Sequence, residues 1–201
     1  MQPGLTNVGA GRTSFLFQIN VTRRCQLRCS HCYILSDKKD TSPDMSEAEF
    51  LHVVQGIVDH MKLDYEFSRR YTFVDIHVIG GEPSMLGVDF FKAALPKAKA
   101  MLSEIPQEVA FSIVTNLVTH EALEVARLFD KVATSYERST RFNKRKQEEI
   151  WKNNVRTLMA ESKNPSLPGP KDFSVTTALV KPVVQALSLI HISEPTRLRR
   201  I

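Results

Sequence analysis

Three cysteines within one eight-residue stretch, Cys25, Cys29 and Cys32, are the residues best suited to chemistry, and the chain has no others. An odd number so closely spaced indicates metal or cluster ligation rather than a disulfide framework. A [4Fe–4S] cluster has four irons and is normally held by four cysteines, so three ligands would leave one iron open to another molecule. A zinc-binding module is the alternative, although structural zinc takes four ligands and His31 lies directly beside Cys32.

A second motif, Gly80-Gly81-Glu82-Pro83, follows the apolar segment TFVDIHVI. Glycine lets the backbone approach a ligand closely, and the carboxylate of Glu82 can compensate an ammonium group. Taken alone, the same four residues could form an ordinary turn between a strand and a helix.

Together the two motifs resemble the radical S-adenosylmethionine (radical SAM) superfamily, whose defining loop is CxxxCxxC and which carries a GGEP motif. His31 stands in the place of the family's aromatic residue before the last cysteine, and Tyr33 follows that cysteine. The resemblance implies that the three cysteines hold the cluster, and that Tyr33 and the GGEP residues bind S-adenosylmethionine (AdoMet). An electron from the cluster would then cleave AdoMet, and a 5′-deoxyadenosyl radical would abstract hydrogen from a substrate. No catalytic residue is assigned.

Two weaker matches follow the next two predicted strands. A TN dipeptide ending at Asn116 matches the family's TNG signature, with Leu117 in place of the glycine. Ser135 begins SYE where relatives often have SxDG, and Arg141 lies where many have an arginine near the cofactor carboxylate, with Arg138 as a competitor. The resemblance implies cofactor contacts for Asn116, Ser135 and Arg141; a turn serine and a solvated arginine are the plain alternatives.

Hydrophobic patterns predict five strands alternating with four helices. The strands are expected at 15–21, 72–79, 109–114, 132–135 and 173–180, and the helices at 46–61, 89–103, 121–129 and 148–160. The first helix has a capping box at Ser46 and Glu49, whereas Pro96 predicts a kink or a late start in the second. His77 is expected to be packed or hydrogen-bonded within its strand, with a substrate contact as the alternative, and Trp151 to join a core-facing stripe of the last helix.

This alternation predicts an α/β fold with a parallel sheet, either open and doubly wound or a βα barrel. The resemblance implies a partial βα barrel of the radical SAM type, truncated after about the fifth strand. In both architectures ligands bind at the carboxyl ends of the strands, so the motifs are expected to converge on one face.

The length of 201 residues suits one domain. We expect a flexible segment at 1–14 and an incomplete core at 15–186. Residues 187–201 are interpreted as an artefact, because LSLIHISEPTR resembles a translated transposase adapter from sequencing libraries. The family core has six strand–helix units, so the native gene is expected to continue beyond about Ala186.

Composition is that of a globular protein, with 42% hydrophobic and 24% charged residues. Of the net charge of +5, the last fifteen residues contribute +2, which leaves +3 and argues against a nucleic-acid partner. Neither a membrane-spanning run nor a secretory signal is visible, which predicts a cytoplasmic protein. The resemblance implies a reducing electron donor such as flavodoxin or ferredoxin. It leaves the substrate, a peptide or a small molecule, unknown.

Overall fold

Five parallel strands form one sheet in the order of the sequence, as the hydrophobic patterns predict. The computed structural model describes residues 13–27, 29, 32, 42–135 and 144–176. The strands are β1 (Ser14–Thr22), β2 (Phe73–Gly80), β3 (Glu108–Val114), β4 (Lys131–Ser135) and β5 (Asp172–Thr176). Each strand pairs in parallel with the next along the chain. The predicted part of β5 beyond Thr176 lies outside the described residues.

The helices between the strands are α1 (Glu47–Leu63), α2 (Tyr65–Ser68), α3 (Val88–Leu102), α4 (His120–Ala126) and α5 (Lys144–Ser162). The capping box of α1 is confirmed, since the Ser46 side chain accepts from the Glu49 backbone N–H at 3.3 Å and the Glu49 carboxylate accepts from the Ser46 N–H at 2.7 Å. Both bonds satisfy backbone donors that a helix start leaves open.

Three features of the helices differ from the sequence-based predictions. Helix α3 begins at Val88 and runs through Pro96, so a late start is wrong. Helix α4 ends at Ala126 rather than Phe129, because the N–H groups of Leu128 and Phe129 bond three residues back and tighten the last turn. The one-turn helix α2 and a short 3₁₀ helix at Pro83–Leu86 were not predicted.

The core lies between the helices and one face of the sheet. Val74, Ile76 and Val78 alternate along β2 and are fully buried against this layer, which includes Phe91 of α3 and Leu158 of α5. A right-handed crossover puts each helix on the same face when parallel strands follow in sequence order. A doubly wound sheet reverses its order, so the observed order is that of a partial βα barrel, the architecture that the radical SAM resemblance implies.

The carboxyl ends of all five strands lie at one edge of the sheet, because every pair is parallel. The cysteines, the GGEP turn, the TN turn and Ser135 follow four of these ends in turn. Among the helices that the structure describes, none combines the length and the apolar character that crossing a membrane requires.

Candidate functional site

The cysteine loop leaves the end of β1, and its three thiols are half-buried and free of disulfides. Leu27 is buried and anchors the loop, and its backbone N–H donates to Cys25 Sγ at 3.4 Å. The Cys32 N–H donates to the Cys29 carbonyl at 3.1 Å. Backbone N–H groups within the loop therefore hold its described residues by hydrogen bonds.

The chain returns from this loop beside β1, where Asp44 fixes it. The Asp44 carboxylate accepts from Thr22 Oγ1 at 2.5 Å and from Arg24 Nε at 2.9 Å, and the Met45 N–H donates to the Val21 carbonyl at 2.9 Å. Burial works to raise the pKa of Asp44, but the hydrogen bonds from Arg24 and Thr22 outweigh it and hold that pKa below its ordinary value.

The GGEP turn continues the pairing of β1 with β2 into the cysteine loop. The Gly81 N–H donates to the Thr22 carbonyl and the Glu82 N–H to the Arg24 carbonyl, both at 2.8 Å. A Cβ atom on Gly81 would lie 2.3 Å from the Arg24 carbonyl oxygen and 2.7 Å from that of Arg23. The glycine thus allows close approach of the residues that immediately precede Cys25.

Glu82 joins the ends of β2 and β3, and it is only 1% exposed. Its Oε1 atom accepts from the Ser84 N–H at 3.1 Å, from Ser84 Oγ at 2.7 Å and from Thr115 Oγ1 at 2.6 Å. Its Oε2 atom accepts from the Asn116 N–H at 2.6 Å. Burial raises the pKa of Glu82, while these hydrogen bonds act in the opposite direction.

The carboxylate of Glu82 is thus bonded to the protein's own donors, and its contact with a cofactor ammonium stays a prediction. Pro83 is buried at the start of the 3₁₀ helix, where its missing N–H leaves no helical bond unmade.

The TN turn brings Asn116 to the cysteine loop. Its Oδ1 atom accepts from Gln26 Nε2 and from the Val118 N–H, both at 3.2 Å, and its Nδ2 atom lies 3.8 Å from Cys25 Sγ. Leu117, where the family has glycine, keeps a left-handed backbone with φ of 52°. The side chain of Asn154 in α5 supports this turn by donating to the Leu117 carbonyl at 2.9 Å.

The structure describes only one of the remaining predicted cofactor contacts, Ser135, and that residue does not join this hydrogen-bonded set. Ser135 ends β4 at the same sheet edge, half-buried and one strand beyond the TN turn. Tyr33, Arg141 and its competitor Arg138 lie outside the described residues, and so does His31. Their cofactor roles stay predictions.

The face of the sheet opposite the helices carries a polar row across β2, β3 and β4. Asp75 accepts from Lys131 Nζ at 2.9 Å and also bonds Ser112 Oγ. His77 lies two residues after Asp75 on β2, nearer the carboxyl end of the strand, and is half-buried. Burial lowers the pKa of His77, and Lys131 acts in the same direction whereas Asp75 opposes it. Its Nδ1 atom is buried and has no hydrogen-bond partner within the described part of the chain. Packing of His77 is confirmed, and Nδ1 is left with hydrogen-bonding capacity on this face.

The donor type suits an iron–sulfur cluster, since the loop carries three thiols without disulfides and Cys25 Sγ accepts from the Leu27 N–H and the Asn116 amide. Within the described ranges, no three His, Cys, Asp or Glu side chains converge closely enough to hold one metal ion. Gln26 Oε1, beside Cys25, is buried without a donor among the described residues, which leaves an acceptor for a bound group.

Sequence reasoning did not find Gln26, Ser84 or Asn154 as members of the site, and it named Thr115 only as part of the TN match. Gln26 and Asn154 bond residues that are distant along the chain, whereas Ser84 bonds Glu82 two residues away. The only local signal was the hydroxyl of Ser84 next to Glu82 and Pro83, which is typical of a side chain that bonds a neighbouring group.

The fold is similar to that of a solved structure, native anSMEcpe with bound AdoMet and Kp18Cys peptide. The match has a TM-score of 0.55 at 13% sequence identity, and it covers 87% of this chain and 46% of that chain. This chain therefore spans less than half the length of that protein. At such identity the likeness shows the fold alone. No family model and no curated protein matches the sequence.

Proposed function

We propose that this chain is part of the core of a radical SAM enzyme, in which Cys25, Cys29 and Cys32 hold a [4Fe–4S] cluster and the GGEP turn seats AdoMet. The observation that carries the proposal is the hydrogen-bonded connection of three motifs at one sheet edge. Cys25, the glycine turn and Asn116 are joined through Glu82 and the backbone of Thr22 and Arg24.

When bound, the cluster would supply the electron for reductive cleavage of AdoMet, which starts hydrogen-atom abstraction from a substrate. The protein's part is to bind, orient and exclude water. Three thiolates would occupy three irons and leave the fourth to AdoMet. The backbone around Gly80 and Gly81 would line the methionine end, and Gln26 Oε1 offers a buried acceptor for an N–H or O–H group of the cofactor.

Asn116 and Ser135 would line the remaining edge of the cofactor, with Tyr33 and Arg141 completing it as the family resemblance implies. A reduced flavodoxin or ferredoxin would supply the electron. We propose a peptide or protein substrate, because the neighbour of similar fold is a protein with a bound peptide. The polar row of Asp75, His77 and Lys131 provides groups that could hydrogen-bond a peptide backbone on the face opposite the helices.

The test is anaerobic reconstitution with iron and sulfide, followed by determination of both elements in the chain and in its three Cys→Ala variants. We expect about four irons and four sulfides per native chain and loss of the cluster from each variant. His52→Ala, at an exposed position of α1, is the matched control and should load as the native chain does.

Two results would count against the proposal. One is a variant that retains a full cubane after loss of a cysteine. The other is one equivalent of zinc without labile sulfide in the native chain, which favours the non-catalytic zinc module. Calorimetric titration of the loaded chain with AdoMet then tests the cofactor, and the absence of binding would leave an iron–sulfur protein of another class.

A further inference from the structure

We propose that the side-chain amide of Asn116 donates a hydrogen bond to the sulfur of Cys25 and thereby raises the reduction potential of the cluster. This inference rests on the proposed function. It makes Asn116 a positioning residue, acting on the cluster through its cysteine ligand, which differs from the cofactor contact that the TN motif implies.

The orientation of the amide follows from its other partners. Asn116 Oδ1 accepts from two donors, Gln26 Nε2 and the Val118 N–H, each at 3.2 Å. The Val118 donor is a backbone N–H, so a flipped Asn116 amide would set its own N–H group against it and leave it without an acceptor. Nδ2 must therefore be the atom that faces Cys25 Sγ, at 3.8 Å.

The backbone of Asn116 is fixed independently of its side chain. Its N–H donates to the buried carboxylate of Glu82 at 2.6 Å. The following turn is held from α5, where Asn154 Nδ2 donates to the carbonyls of Leu117 at 2.9 Å and Thr119 at 2.8 Å. Because the backbone of Asn116 is anchored on both sides, its amide is already ordered before the cluster is reduced. Reduction therefore carries no further entropic cost of ordering this donor.

The chemical consequence follows from the charge of the cluster. Reduction adds an electron, part of which resides on the ligand sulfurs, so an N–H group aimed at a sulfur stabilises the reduced form. Cys25 Sγ receives the Leu27 N–H at 3.4 Å as well as the Asn116 amide. The longer distance to Asn116 makes its bond the weaker of the two, so we expect a moderate effect.

The experiment compares Asn116→Leu, which keeps similar volume without an N–H group, with the native chain after anaerobic reconstitution. Iron and sulfide content is measured first, and the potential is then measured by a redox titration followed by electron paramagnetic resonance. We expect full loading and about a tenfold smaller ratio of reduced to oxidised cluster at a fixed potential, which is about 59 mV for one electron.

Asn153→Leu is the matched control, since it makes the same substitution at an exposed position of α5 outside this network. It should leave both the loading and the potential at the native values. An unchanged potential in fully loaded Asn116→Leu would overturn the inference, and so would an equal shift in Asn153→Leu. If the native chain assembles no cluster, the proposed function fails instead.

Gln26→Leu keeps the inference testable should Asn116→Leu fail to load. It leaves the Asn116 amide in place but removes one of the two donors that orient it. We expect a smaller shift in the same direction. A loaded Gln26→Leu variant with the native potential would then contradict the proposed orientation.

Discussion

The turns after β2 and β3 lie at the same edge of the sheet, but they differ in the space that they leave for a side chain. After β2, a Cβ on Gly81 would lie 2.3 Å from a backbone oxygen of Arg24, so no side chain fits. After β3, Leu117 adopts a φ of 52° with its side chain fully buried. One turn excludes a side chain, whereas the other tolerates a strained one.

This difference explains why the glycine of the TNG signature can be replaced by Leu117, whereas Gly81 of the GGEP motif cannot be replaced. A left-handed backbone costs a non-glycine residue about 1–2 kcal/mol, which burial of a leucine side chain, at about 1.5–3 kcal/mol, can offset. Contact between Cβ and a backbone carbonyl has no such compensation, because neither atom can move alone. Glu82 bonds both turns, so its loss should affect them together.

The largest effect is expected for Glu82→Leu. It leaves the buried N–H of Ser84 and the part-buried N–H of Asn116 without their acceptor, at about 1–3 kcal/mol each, so the free energy of unfolding should fall by about 3 kcal/mol or more. Urea unfolding measures it. Glu104→Leu removes an exposed carboxylate paired with Lys62 and should change stability by about 0.5 kcal/mol at most. Similar losses in the two variants would show that Glu82 does not join the turns.

Gly81→Ala should cost about 1–3 kcal/mol, because Thr22–Arg24 must shift to clear the new methyl group. Cluster loading should fall as well, since the displaced segment leads directly into Cys25. Gly56→Ala is the same substitution in the middle of α1, where nothing lies within 4 Å, and it should raise stability by about 0.5–1 kcal/mol. Thermal unfolding together with iron determination measures both variants. If the two substitutions changed stability in the same direction, the steric argument for Gly81 would be wrong.

The pH dependence of stability tests the buried carboxylate itself. Burial raises the pKa of Glu82 above its ordinary value of 4.5. The folded chain therefore binds this proton more tightly than the unfolded chain, and the free energy of unfolding falls as the pH rises from 4.5 through the raised pKa. Subtracting the pH profile of Glu82→Gln from that of the native chain removes the contribution of the other titrating groups. If the resulting difference in the free energy of unfolding grew with pH, the hydrogen bonds would outweigh burial in setting the pKa of Glu82.

The strands and the sheet edge could be predicted because their signals are local. The apolar alternation of β2, the glycines after it and the TN after β3 each lie within a few residues. The network of Glu82, Thr115, Asn116 and Cys25 could not, since its members are separated by many residues and meet only once strand order is known. Helix α2 is a single turn capped by the Asp64 side chain, too short for a periodic pattern.

The smallest effect is a reversal of the usual order of alanine and glycine at Leu117. Both Leu117→Ala and Leu117→Gly lose the buried side chain, at about 2–5 kcal/mol. Alanine retains the left-handed penalty and glycine does not, so Leu117→Gly should be more stable than Leu117→Ala by about 1 kcal/mol. In α4, Ala122→Gly should instead lose about 1 kcal/mol, the ordinary helical order. Chemical denaturation of the three variants and the native chain decides it. Should Leu117→Ala be the more stable of its pair, the turn after β3 does not need the conformation that glycine provides, and the replacement of that glycine by leucine would carry no steric cost.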